Sequence, residues 1–249
     1  MLYDWCVLYV AAAALERALE MNKRVWHSKK FEEKTSKLAA DIRKGIEEFG
    51  IVDLGGGNSV YAYEVDGLGN RLTDFDDANV PSLLSIPLLG YEHFNKTVYA
   101  TTRARLLSPA TNRYYFKGTS LEGIGSPHTP GNNVWPMAMV MQGLTTPVAA
   151  ERATQFRQLL KSQCGNGVMH ESVNVNDPGS CTRPWFEWAN ALFVTYTRSA
   201  LGMDCRAEAE AHMWKQLLPG NDDVRKYATL HNRIPWNAAS KADANWFHT

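Results

Sequence analysis

Hydrophobic and polar positions follow a helical period at the start of the chain. Residues 2–21 are rich in alanine and leucine and predict a first helix. In the next segment the apolar face recurs every three or four residues, which predicts an amphipathic helix that stops at Gly50. The positions on that face are Phe31, Thr35, Leu38, Ile42, Ile46 and Phe49.

The pattern changes between residues 53 and 77. This segment is rich in glycine and alternates at 60–65, so we expect a short β-hairpin and a long ordered loop. Helical patterns then resume, with Pro81 near the start of the first one, where a missing N–H is tolerated. The predicted helical segments are 78–91, 96–107, 135–144, 147–163, 184–202 and 205–217.

Two of the loops between these segments, 108–134 and 164–183, are too long to be simple connectors. Long loops that join regular helices are often functional. The predicted fold class is therefore all-α, with paired helices joined at one end by long functional loops and with one short β-hairpin.

The longest apolar run, residues 5–15, lies between Asp4 and Glu16. A membrane span needs about 20 apolar residues, so this run predicts a buried helix face, and we expect no membrane segment in this chain. Asp4 also stands where a signal peptide would carry basic residues.

Composition narrows the class of partner. Lysine and arginine total 26 and so do aspartate and glutamate, which gives the 249-residue chain a net charge of zero. This balance offers no general attraction for nucleic acid or anionic lipid, so we expect no nucleic-acid partner. The 45% of hydrophobic residues suffice for a core, and the 8 tryptophans are more than a helical core of this size needs.

The four cysteines, Cys6, Cys164, Cys181 and Cys205, show no metal-ligand spacing. We expect buried free thiols, with a Cys164–Cys181 disulfide as the alternative. Localisation therefore stays open. A glycosylation triplet at residues 95–97 would accept a glycan if the protein is exported.

The loops 61–79, 123–136 and 167–190 concentrate carboxylates, imidazoles and indoles. Carboxylate and amide groups hydrogen-bond hydroxyls, and aromatic faces cover the apolar side of a pyranose ring, so this combination indicates a sugar pocket.

Each motif in these loops also has a simpler interpretation. Residues 74–79 resemble a calcium loop, but Ala78 lacks an oxygen ligand, and helix capping by Asp77 is more ordinary. The pair Trp185 and Trp188 is equally compatible with the core. The HE pair at 170–171 lacks the second histidine of a zinc protease, and Gly123 and Gly125 lack the third glycine of a dinucleotide site.

Six motifs in order closely resemble glycoside hydrolase family 125, the metal-independent exo-α-mannosidases, whose fungal members include meiotically up-regulated proteins. These motifs are YAYEVDGLGN at 61–70, DDANVPSLL at 76–84, GIGSPHT at 123–129, WPM at 135–137, MHES at 169–172 and WFEWAN at 185–190. The resemblance implies an (α/α)6 barrel, of which residues 1–204 would be a C-terminal portion and residues 205–249 an extension.

The resemblance also implies a reaction: hydrolysis of non-reducing terminal α-1,6-linked mannose with inversion, without metal or cofactor, on a mannose-containing oligosaccharide or N-glycan. In the MHES motif, Glu171 is the expected general base. The residues expected to hold hydroxyls or shape the pocket are Asp66, Asp77, Asn79, His128, Trp135, His170 and Arg183. The family's general acid is expected upstream of the first helix, so we expect this chain to be a truncated member of the family. The alternative to an enzyme is an inactive mannose-binding or regulatory fragment.

Overall fold

The computed structural model describes residues 3–200, which form six α-helices and ten short strands. The helices are α1 Trp5–Met21, α2 Lys29–Phe49, α3 Lys96–Leu106, α4 Pro136–Leu144, α5 Ala149–Lys161 and α6 Glu187–Ala200. The strands are β1 Tyr3–Asp4, β2 Ile51–Asp53, β3 Ser59–Tyr61, β4 Glu64–Val65, β5 Arg71–Leu72, β6 Tyr115–Lys117, β7 Glu122–Ile124, β8 Asn133–Val134, β9 Ser172–Asn174 and β10 Cys181–Thr182.

The helices start where the sequence provides caps. The side chain of Ser28 accepts a hydrogen bond from the Phe31 amide at the start of α2. Asn95 does the same for the Thr97 and Val98 amides at the start of α3. A side-chain oxygen at this position satisfies amides that have no partner in the first helical turn. The mostly helical character expected from the sequence is therefore confirmed.

The helices α1 and α2 pack together, but only part of the apolar face predicted for α2 is buried, because Leu38 and Phe49 are about half exposed. On α1 the residues Cys6, Tyr9 and Ala12 are fully buried, and on α2 Ile46 and Ala39 are each 2% exposed. The apolar run in α1 is thus only partly buried, because Val7 and Val10, on another face of the helix, are exposed. Among the described residues no helix is long and apolar enough to cross a membrane.

The strands form four small antiparallel sheets, more than the single hairpin expected. The hairpin itself is β2 paired with β3, and β6 pairs with β7. The other two sheets have three strands each, in the orders β1-β4-β5 and β8-β9-β10. In the latter, Thr182 lies opposite Ser172 and Asn133 lies opposite Asn174. This pairing brings the loop before α4 and the loop before α6 together.

The segment 78–91 is not the helix that the sequence predicts; it consists of turns with one short 3₁₀ helix, Ile86–Leu88. Both oxygens of Asp76 accept backbone hydrogen bonds, from Leu83 and Leu84. The Ser82 amide donates a hydrogen bond to the Ser85 hydroxyl, and the Ser85 amide donates one to the Ser82 hydroxyl. Such local bonds from side chain to backbone compete with helical pairing, which explains the turns.

The cysteines also differ from the expectation. Cys164 and Cys181 form a disulfide, with their Cα atoms 6.5 Å apart, so the free-thiol prediction is wrong for this pair. It is correct for Cys6, whose thiol is buried and outside the disulfide. Cys205 lies outside the described residues.

The chain divides into two units, Met1–Tyr196 and Thr197–Thr249. The predicted helix at 205–217 falls outside the described residues, and the domain boundary at residue 204 stays a prediction. The described helices and small sheets are compatible with the fold that the resemblance implies. The complete (α/α)6 barrel stays a prediction too.

Candidate active site

A cavity of about 450 Å³ lies where three loops of the described chain meet. Its volume is within the range of about 300–1,000 Å³ that is usual for small-ligand sites. The loops are the turn segment after β5, the connection from β7 to α4, and the connection from α5 to α6. The lining residues are Asn79, His128, Trp135, Glu171, Arg183, Phe186 and Trp188.

Glu171 presents its carboxyl group to this cavity from the residue before β9. The side chain is 11% exposed, and Arg183 Nε lies 3.1 Å from Oε1. The hydroxyl of Thr182 donates to Oε2 at 3.0 Å. Because both oxygens face donors, the arrangement suits an ionised carboxylate held in one orientation.

A row of hydrogen bonds continues behind the Thr182 hydroxyl. Asn133 Nδ2, which can only donate, lies 2.9 Å from Ser172 Oγ, and Ser172 Oγ lies 2.8 Å from Thr182 Oγ1. The single hydrogen of the Thr182 hydroxyl goes to the Glu171 carboxylate, so the Ser172 hydroxyl is the donor in its contact with Thr182. Asn174 Nδ2 donates to Asn133 Oδ1 at 3.3 Å, which fixes the orientation of the first amide.

Arg183 reaches Glu171 from an unusual backbone conformation. Its φ is +44°, in the left-handed region that few residues other than glycine adopt, and Pro184 follows it. Its guanidinium carbon lies 5.6 Å from the centre of the Phe186 ring. A strained backbone costs about 1–3 kcal/mol and persists where the surroundings hold it, often at functional sites.

Aromatic rings line another part of the cavity. Trp135 is 2% exposed and donates from Nε1 to Thr129 Oγ1 at 2.9 Å. The Phe186 ring stands edge-on to Trp135, with the ring centres 6.1 Å apart, and Trp188 lies 6.4 Å beyond Phe186. These faces offer the apolar surface that the C–H side of a sugar ring requires.

The polar part is organised by Asp77, although Asp77 itself is not among the lining residues. Its Oδ1 accepts from the backbone and side-chain amides of Asn79, at 3.2 and 3.1 Å. Its Oδ2 lies 3.5 Å from His128 Nε2. Among the described residues no hydrogen bond uses Asn79 Oδ1, which leaves this oxygen able to accept a hydroxyl.

Two of the expected site residues lie elsewhere. Asp66 closes the turn between β4 and β5, where it accepts hydrogen bonds from Leu68 and from the backbone and side chain of Asn70. The Asn70 side chain, followed by the Leu68 amide, lowers the pKa of Asp66. His170 is fully buried and is not among the lining residues, and its Nδ1 lies 3.3 Å from the Arg183 carbonyl oxygen. Its neighbour Glu171 faces the cavity.

The calcium-loop interpretation of residues 74–79 does not fit this geometry. Asp74 pairs with Arg113, and Asp76 accepts the Leu83 and Leu84 amides, so the carboxylates do not share one centre. The helix capping expected of Asp77 is wrong, because no helix begins directly after it; its Oδ1 accepts from Asn79 instead. Among the described residues, one group offers three potential metal ligands within 4.8 Å of one another, Cys164, His170 and Cys181. Its two sulfurs are bonded to each other.

The sequence did not identify Thr182, Phe186 or Trp188 as site residues. Trp185 and Trp188 are 79% and 46% exposed, so the core interpretation of this pair is wrong. The WFEWAN motif, in which Phe186 and Trp188 stand two residues apart, was the sequence signal that could have identified these two as site residues. No local signal marks Thr182, because it meets Glu171 only through the pairing of β9 with β10.

Comparison with known proteins identifies the family of this chain. The family described as metal-independent alpha-mannosidase (GH125) matches residues 7–197. The meiotically up-regulated gene 157 protein of Schizosaccharomyces pombe is 50% identical over 156 residues, which are 63% of this chain and 30% of that protein.

A solved structure is similar as well. It is a metal-independent alpha mannosidase of Streptococcus pneumoniae in a non-productive substrate complex with alpha-1,6-mannobiose. It matches with a TM-score of 0.76 and 37% identity, over 81% of this chain and 47% of that one. The chain thus spans less than half the length of either relative. The match over residues 7–197 shows that it belongs to glycoside hydrolase family 125, the metal-independent alpha-mannosidases.

Proposed function

We propose that this chain is part of an exo-acting, inverting α-mannosidase and that it provides the general base, Glu171. The observation that carries the proposal is the position of Glu171 in a sugar-sized cavity, with hydrogen-bond donors on both oxygens. Membership of a mannosidase family supports the same reaction class.

In this reaction Glu171 takes a proton from a water molecule as the water oxygen attacks the anomeric carbon. The bond to the leaving oxygen breaks on the opposite face of the ring, so an α-linked mannoside yields β-mannose. Thr182 and Arg183 orient the carboxylate in the ground state. The indoles of Trp135 and Trp188 would cover the apolar side of the ring, while Asn79 and His128 would bind its hydroxyls.

The reaction also needs a general acid, about 6.5–9.5 Å from the base in inverting enzymes. Of the seven described residues that line the cavity, Glu171 alone carries a carboxyl group. Asp76 is already engaged by two backbone amides. The proposal therefore assigns the acid to a residue outside the described set.

The proposed substrate is a mannose-containing oligosaccharide or N-glycan with a terminal α-1,6 linkage. The supporting observation is the alpha-1,6-mannobiose bound to the Streptococcus pneumoniae relative. We also propose that the described helices are part of the (α/α)6 barrel that the family resemblance implies.

A second candidate is a mannose-binding chain that does not hydrolyse its ligand. The single carboxyl group in the described part of the cavity favours it. Both candidates predict sugar binding, and they differ in turnover.

The test is to incubate the purified chain with α-1,6-mannobiose and follow the anomeric protons by NMR, with calorimetry on the same sample. Binding with early release of β-mannose supports the enzyme. Binding without release supports the second candidate. The absence of both would refute the sugar-site proposal.

The matched variants are Glu171→Gln and Glu33→Gln, the latter an exposed position on α2. Loss of a proton-transfer group lowers the rate by about 10²–10⁴-fold, so Glu171→Gln should remove turnover and keep sugar binding. Glu33→Gln should leave both unchanged.

A further inference from the structure

The disulfide between Cys164 and Cys181 is joined directly to the groups that hold Glu171. Cys181 and Thr182 together make up β10, and Arg183 follows. Thr182 binds one oxygen of the Glu171 carboxylate and Arg183 the other. The covalent bond thus anchors the strand that carries both contacts.

Without this bond β10 would have few restraints. It has only two residues and is the edge strand of the sheet β8-β9-β10. Around this strand the Glu171 amide donates a hydrogen bond to the Thr182 carbonyl oxygen at 3.3 Å. The Asn174 amide donates another to the Ser180 carbonyl oxygen at 2.9 Å. Residues 176, 177, 179 and 180 before the strand, and residues 183–185 after it, are exposed. A two-residue edge strand between exposed segments opens easily by local fluctuation.

The other end of the disulfide is tied to the same segment by His170. Its Nε2 lies 3.2 Å from the Gln163 carbonyl oxygen and 3.1 Å from Asn166 Oδ1, while Nδ1 faces the Arg183 carbonyl oxygen. The buried imidazole therefore bridges the loop that carries Cys164 and the residue after Thr182. His170 and the disulfide therefore both connect the loop that carries Cys164 with the segment around Thr182.

We propose that the Cys164–Cys181 disulfide is a positioning element that keeps Thr182 and Arg183 against Glu171. Its reduction would loosen this clamp while the rest of the unit stays folded. Both sulfurs belong to half-buried residues, so a small dithiol can reach them. In the reduction two electrons and two protons pass from the dithiol to the two sulfurs, and the dithiol is oxidised to its own disulfide.

The first experiment measures hydrogen exchange of the full chain with and without dithiothreitol, after mass mapping of the oxidised protein. We expect a Cys164–Cys181 crosslink. On reduction, the amides of Glu171 and Asn174 should exchange faster by about tenfold or more, while those of α1 and α2 stay unchanged. The variant with Cys164→Ser and Cys181→Ser should exchange as the reduced chain does and should not respond to dithiothreitol.

Three results of this experiment would overturn the proposal. They are the absence of the crosslink, exchange that reduction does not change at Glu171 and Asn174, and acceleration throughout α1 and α2, which would mean a general structural role. A Cys6→Ala variant should respond to dithiothreitol as the natural chain does, because Cys6 is outside the bond.

The second experiment tests the consequence for the sugar site, and this part rests on the proposed function. Affinity for α-1,6-mannobiose is measured by calorimetry for the natural chain, Glu171→Gln, the double serine variant and their combination. If the disulfide acts through Glu171, its loss should weaken binding in the natural chain but have no further effect in Glu171→Gln. Additive effects would overturn the coupling. If the natural chain shows no sugar binding, the proposed function fails, while the exchange experiment still decides the role of the disulfide.

Discussion

Thr182 Oγ1 donates its hydrogen to Glu171 Oε2 across 3.0 Å. Thr182 lies in β10, and Glu171 comes directly before β9, the strand that pairs with β10. Behind it, the Ser172 hydroxyl donates to Thr182 Oγ1 and accepts from Asn133 Nδ2. The orientation of one carboxylate thus depends on a line of three side chains.

Substitution of Thr182 tests this line. Thr182→Val keeps the shape of the side chain but removes the hydroxyl, and a hydrogen bond to a charged group contributes about 1.5–3 kcal/mol. We expect kcat on α-1,6-mannobiose to fall by about 10–100-fold, with a smaller change in KM. Thr182→Ser restores the hydroxyl and should restore most of the rate. Equal rates for the valine and serine variants would contradict the role of the hydrogen bond.

Arg183→Lys separates charge from geometry. Lysine keeps the positive charge but loses the planar group that contacts both Glu171 and the Phe186 ring. We expect the Kd for mannobiose to rise several-fold in a titration. The Tm should shift by less than about 4 °C, because an exposed ion pair contributes about 0–1 kcal/mol. The control Arg157→Lys, on the exposed side of α5, should leave Kd unchanged; an equal loss there would point to a non-specific effect.

Gly125 is required by close packing beside the site. A Cβ atom at this position would overlap the Asn133 carbonyl oxygen and the Phe116 ring. Gly125→Ala should therefore destabilise the fold by about 1–3 kcal/mol in denaturant unfolding. At Gly45, in α2, a Cβ atom would have no neighbour within 4 Å, so Gly45→Ala should be stabilising by up to about 1 kcal/mol. Similar effects of the two substitutions would refute this packing.

Asp66 provides a test of the residues placed outside the cavity. The hydrogen bond from the Asn70 side chain is the main cause that lowers the Asp66 pKa, so the turn is stabilised by the charged form. This stabilisation is present above the unfolded pKa of an aspartate and is lost as the pH falls through the lower folded value. An NMR titration of the Asp66 carboxyl carbon should give a midpoint below the ordinary aspartate value.

The companion variant Asp66→Asn should leave mannobiose affinity unchanged. A clear loss of affinity would return Asp66 to the sugar site that the resemblance assigned to it. A normal titration midpoint would mean that the Asn70 contact is not maintained in solution.

The parts of the fold that the sequence predicted are those fixed by local signals. The period of α2 located that helix, and the helical segments predicted at 96–107, 135–144 and 147–163 agree with α3, α4 and α5 to within two residues. The short strands β9 and β10 escaped prediction because two or three residues carry no usable period, and their partner lies elsewhere in the chain.

The site residues also divide into those that local motifs indicate and those that depend on the fold. The motifs led to Glu171, Asn79, His128, Trp135 and Arg183, and the structure brings these five together around one cavity. His170 and Asp66 belong to the same motifs but serve the backbone around them, a difference that residue type alone does not reveal. Thr182 was missed because its role depends on strand register.

A crystal structure with α-1,6-mannobiose bound would test the central claim most directly. We predict the non-reducing mannose in the cavity between Trp188 and Glu171, with a water molecule about 2.6–3.2 Å from the Glu171 carboxylate and facing the anomeric carbon. A sugar bound elsewhere, or with its anomeric carbon turned away from Glu171, would contradict the account.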